Sequence, residues 1–105
     1  MKAEYEALAK ANENSWRILF SIANVFSYNE YFKEAIQMWQ KTFDCMPKPR
    51  YTDSFEAMAQ CCVRMRDHES AVEYYKKELE LLREDWGLKY GAEVDALEEK
   101  IRALQ

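Results

Sequence analysis

Apolar residues recur along most of the chain at the spacing of one helix face, three and four residues apart. Residues 2–12 carry Tyr5, Leu8 and Ala9 in this way among Ala, Glu and Lys. Asn12 to Ser15 is polar, breaks the pattern and supplies candidate N-caps. A second helix over 15–28 has Leu19, Ile22, Ala23 and Phe26 on one face, and Asn29 and Glu30 make a short turn. A third, over 31–45, sends Phe32, Ala35, Ile36, Trp39 and Phe43 inward. Pro47 and Pro49 stop it, because each disfavours helix at the residue before it. Thr52 or Asp53 caps a fourth helix with Phe55, Met58, Ala59 and Cys62 on its face, reaching about Met65. Arg66 and Asp67 form the next turn, and a fifth helix starts near His68 with Ala71, Val72, Tyr75, Leu79 and Leu82. Gly87 and Gly91 interrupt it and predict a break rather than a bend. A last helix over 92–104 carries Val94, Leu97, Ile101 and Leu104.

The chain also repeats itself. A shift of 36 residues places Leu19 on Phe55, Ile22 on Met58, Ala23 on Ala59 and Phe26 on Cys62. It places Phe32 on His68, Ala35 on Ala71, Ile36 on Val72, Trp39 on Tyr75 and Phe43 on Leu79. Two helices per unit at such a period mean a helical solenoid. The small residues have a physical purpose. Ala23 and Ala35 let two helices approach closely, as do Ala59 and Ala71, while large residues fill the flanking grooves.

These residues resemble the tetratricopeptide repeat. Leu19, Ala23, Phe26, Ala35, Trp39 and Pro47 fit one unit, with Thr42 at the last small position. Phe55, Ala59, Ala71 and Tyr75 fit a second. The second unit departs from the pattern: Cys62 replaces an aromatic, Glu78 the last small residue and Arg83 the closing proline. Glu30 and Arg66 stand where the family turn usually has glycine. The spacing of 36 exceeds the family's 34, so helix B of the second unit is expected to run on to near Trp86. The resemblance implies an all-α, right-handed helical solenoid of antiparallel helix pairs in a single domain. Its parts are an N-terminal half-repeat (1–14), repeats at 15–50 and 51–86, and a capping helix (87–105). Tyr5 and Leu8 take the aromatic and small positions of the half-repeat; the capping helix keeps Glu93, Glu98, Glu99 and Lys100 in water.

Composition narrows the functional classes. Apolar residues make up 49% and charged residues 32% of 105 positions, with only 2 Gly, 2 Pro and 1 His. That is globular composition with no Gly-rich phosphate loop. The net charge of -4 shows no basic footprint for nucleic acid, and no apolar run would span a membrane. The N-terminus lacks a signal peptide, and Cys45, Cys61 and Cys62 do not form a disulfide framework, so a cytoplasmic protein with reduced thiols is expected. The cysteines and His68 lack metal-ligand spacing, and Cys62 with Cys61 reads as core. His68, in register with Phe32, should be partly buried. Glu78 and Glu80, like Glu98 and Glu99, read as solvated helix surface. No catalytic residue, cofactor or metal is assigned.

Function then rests on surface. In the resembled fold, A helices line a concave groove. Off the core stripe, the second helix presents Arg17, Phe20, Asn24 and Tyr28, the last three in one line four residues apart. The fourth presents Glu56, Gln60 and Arg64. Two aromatics around an amide would suit a peptide or helix of a partner protein. Asn24 also falls at one position of the family's two-carboxylate clamp, but Phe20 replaces the lysine required there, so that activity is not expected. The expectation is a non-enzymatic protein-binding module. The alternative is a homodimer or structural module, with Val94, Leu97, Ile101 and Leu104 as a seam of about two heptads.

Overall fold

The computed structural model describes all residues, 1–105, and is all-α, with six helices and no strand. It comprises two compact units, residues 1–47 and 48–105.

The first unit contains α1 (Lys2–Ala11), α2 (Trp16–Tyr28) and α3 (Phe32–Cys45). Ser15 caps α2, its Oγ accepting from the Ile18 amide at 3.4 Å. Leu19, Ile22, Ala23 and Phe26 are buried on α2, which packs on α3 and on α1. On α3 the buried set is Ala35, Met38, Trp39 and Thr42, while Phe32, Ile36 and Phe43 are only half-buried. The Tyr5 ring meets Phe26 edge-on at 6.2 Å. The small buried position of α1 is Ala9 and not Leu8, which is exposed. Four residues separate Tyr5 from Ala9, a full helical turn, so one face carries both.

The second unit contains α4 (Asp53–Arg64), α5 (His68–Trp86) and α6 (Ala92–Leu104). Met58, Ala59, Cys61 and Cys62 are buried on α4, and Ala71, Val72, Tyr75, Leu81 and Leu82 on α5. Asp67 caps α5 through the Ser70 amide. His68 is exposed, contrary to its register with Phe32. At the first position of a helix an imidazole keeps its hydration, whereas an apolar face would leave it unpaired. Gly87, at φ +66, ends α5 in the left-handed conformation that glycine adopts without strain. Val94, Leu97 and Ile101 of α6 are buried, and α6 packs on α5. Three of the four residues read as a dimer seam are therefore covered within their own chain, and Leu104 is half-buried.

The two helix pairs close on the same turn. Glu30 sits at φ +66 and Arg66 at φ +62. The Tyr31 amide donates to the Phe26 carbonyl and that of Asp67 to the Cys62 carbonyl, each at 2.8 Å. Glu30 donates to Ser27, and Arg66 to Val63. Every donor and acceptor thus recurs 36 residues on, in the bond pattern of a Schellman cap. In the first turn the Tyr31 ring also packs on Phe26 at 6.2 Å.

A clamp ties the start of the second unit to the end of α5. Arg50 Nε and Nη2 donate to Asp85 Oδ2 and Oδ1 at 2.8 and 3.1 Å, and the Arg50 amide donates to Oδ2 at 2.9 Å. The Asp85 carboxylate is almost wholly covered. Its pairing with Arg50 outweighs the cost of that burial and lowers its pKa to about 2.

Two predictions follow from this packing. Ala23 and Ala59 have no exposed surface, so Ala23→Leu should overpack the α2–α3 contact and cost about 1–3 kcal/mol in urea unfolding. A midpoint equal to the wild type would show that the helices do not meet there. Glu30→Gly and Arg66→Gly should each stabilise by about 0.5–1 kcal/mol, since glycine removes the left-handed strain at a smaller entropic cost. A loss of stability in both would contradict the turn geometry.

Candidate functional site

On α2 the expected surface residues fall on one face. Asn24 is exposed and Tyr28 is 89% exposed, one turn further on. Phe20 is half-buried because its ring leans edge-on against Trp39 at 6.3 Å. Arg17 is exposed and lies over the Trp16 ring, 5.3 Å from its centroid. The N-terminal half of the row is thus anchored, and the open part is Asn24 and Tyr28.

On α4, Gln60 and Arg64 are exposed. Glu56 is half-buried and engaged: Lys100 Nζ of α6 donates to its Oε1 at 3.3 Å, and Gln60 Nε2 at 3.5 Å. Lys100 also lies 5.6 Å from the Tyr75 ring centroid. An ion pair this exposed contributes little stability, but it does place α6 beside the α4 row.

Glu78 is the residue that the sequence misplaced. Expected in water beside Glu80, it is 5% exposed, and its Oε1 has no hydrogen-bond partner. Its register is that of Thr42, which is buried and bonds its own hydroxyl to the Trp39 carbonyl. Glu78 is longer and, when ionised, accepts only, so in that form it cannot copy that solution. Burial raises its pKa to about 7, helped by the nearby charges of Glu56, Asp53 and Glu93 and opposed by Lys100.

The cysteines are chemically quiet. Cys61 and Cys62 are buried free thiols, and burial pushes the Cys62 thiol up to about 11. A protonated thiol is a poor nucleophile and a poor ligand. No helix is long and apolar enough to cross a membrane. No protein-family model matches the chain, and no curated protein matches it in sequence.

Glu78 gives stability a pH dependence of unusual sign. Its folded pKa lies above the unfolded value of 4.5, so folding holds a proton that the unfolded chain releases. The Glu78 contribution is therefore fully present below pH 4.5 and is lost as pH rises through about 7. Between pH 5 and 8 the loss should be about 2 kcal/mol, read from urea midpoints. Asp85 loses its contribution only toward pH 2, outside this window. Glu78→Gln should flatten the profile; an unchanged slope would mean that Glu78 is solvated.

Proposed function

We propose that the protein is a non-enzymatic interaction module of the tetratricopeptide type that binds a peptide or helix of a partner protein. Its three free thiols suit a cytosolic setting, where they stay reduced. The repeat reading is supported by the identical turn closures at Glu30 and Arg66 and by the buried alanines of both helix pairs. The binding reading rests on one observation above all. Tyr28 is 89% exposed in line with the exposed Asn24, on a helix whose opposite face is fully packed. An exposed aromatic beside a side-chain amide offers apolar area and hydrogen bonds at little entropic cost, the combination enriched at protein interfaces.

The test is chemical crosslinking and affinity capture from lysate, comparing wild type with Asn24→Ala plus Tyr28→Ala. Both side chains lie outside the core, so the thermal midpoint should not move. Recovery of the partner should fall about tenfold or more. Equal recovery by the two proteins would remove α2 as the contact surface.

A further inference from the structure

The second unit carries a cleft of about 370 Å³ between the start of α4, the end of α5 and the start of α6. Tyr51 and Trp86 form one wall, their ring centroids 6.3 Å apart and their planes inclined by 37°. As residues, Tyr51 is 48% and Trp86 47% exposed. Trp86 is fixed in place: its Nε1 donates to the Arg50 carbonyl at 2.6 Å, and Arg50 is itself clamped on Asp85. Leu82 and Leu88 supply apolar lining. The charged side chains at this cleft are Asp53 and Glu93, both exposed and both acidic. No lysine or arginine lines it.

A second hollow of about 250 Å³ shares Thr52, Leu82 and Glu93 with the first. Glu78 lines it, nine-tenths buried and with one carboxylate oxygen unpartnered. Glu56, Glu78 and Glu93 there face a single base, Lys100. The two hollows together therefore set Asp53, Glu56, Glu78 and Glu93 against the one base Lys100, and the buried Glu78 Oε1 in their wall has no donor. Aromatic faces attract cations, and an arginine head can stack on a ring while pairing with carboxylates.

We propose that this cleft binds an arginine or lysine side chain of a basic peptide segment, with its aliphatic stem on Leu82 and Leu88, its cationic head against Tyr51 and Trp86, and its charge neutralised by Asp53 and Glu93. Binding here rests on the reading of the protein as a peptide-binding module, but on different residues. Equal capture by wild type and the Asn24→Ala plus Tyr28→Ala variant, which would remove α2 as a contact surface, would leave it standing.

The intact protein should be titrated with a short capped arginine–alanine peptide while the indole N–H resonance of Trp86 is followed by NMR, assigned with Trp86→Phe. The arginine peptide should shift that resonance and bind at least about tenfold tighter than the same peptide with neutral citrulline in place of arginine. Asp53→Asn plus Glu93→Gln alters only exposed groups and should abolish most of that preference with the fold intact by circular dichroism. Added salt should weaken the wild-type complex. Equal affinity for the two peptides, a full preference retained in the double variant, or an unmoved Trp86 resonance would each overturn the proposal. So would free arginine binding as tightly as the peptide, because the ligand would then be a small molecule.

Discussion

Each helix pair depends on a single residue held in left-handed backbone. Glu30 and Arg66 reverse the chain within three residues, and the bonds from Tyr31 to Phe26 and from Asp67 to Cys62 lock that reversal. The turn fixes which face of the second helix meets the first, so it fixes where the alanines must stand. Ala23 and Ala35, and Ala59 and Ala71, are wholly buried as a result. A glycine would make the turn with less strain. The chain carries Glu and Arg instead, and packing of the large residues around the alanines must outweigh the local cost.

The same register explains why the two pairs differ in chemistry. Thr42 and Glu78 occupy equivalent inner positions. The threonine satisfies itself on the Trp39 carbonyl, so the first pair stays neutral at that point. An ionised glutamate cannot do so, and the Glu78 carboxyl group lies buried among Glu56, Glu93 and Lys100. One substitution within the repeat thus introduces a titrating group into what is elsewhere a sealed contact. Departures from a local rule concentrate at functional sites, and this one lines a hollow.

The helices, the alanine contacts and the long α5 were legible from the sequence because each is a local pattern or a repeat of one. Leu8 and Ala9 show the limit of that method: both suit a small or apolar position, and only the face that Tyr5 turns to Phe26, one turn before Ala9, decides between them. Glu78 shows a conflict. The repeat register put it inside, whereas its acidic neighbours in sequence put it in water; packing followed the register. The cleft was not legible at all. Trp86 and Tyr51 are joined through Arg50, and the bonds that hold them span 35 and 36 residues of chain. Helical periodicity does not reach that far, the 36-residue repeat marks equivalent positions rather than touching ones, and the sequence around Trp86 reads only as a helix stop.

The length of α5 accounts for that cleft. At 19 residues it is five longer than α3, which adds roughly 7 Å of helix beyond the equivalent end of the first pair. Those extra turns carry Leu82, Asp85 and Trp86. The apolar ones need cover and the charged one needs a partner. Arg50 partners Asp85, and Tyr51 and Leu88 come alongside Leu82, which is buried, and Trp86, which stays about half exposed. Arg83 stands 36 residues after Pro47, which lies just past the end of α3, and the absence of a proline there has a structural consequence. Where a proline would end the helix, α5 continues, and the walls of an aromatic, acidic cleft are built from the continuation.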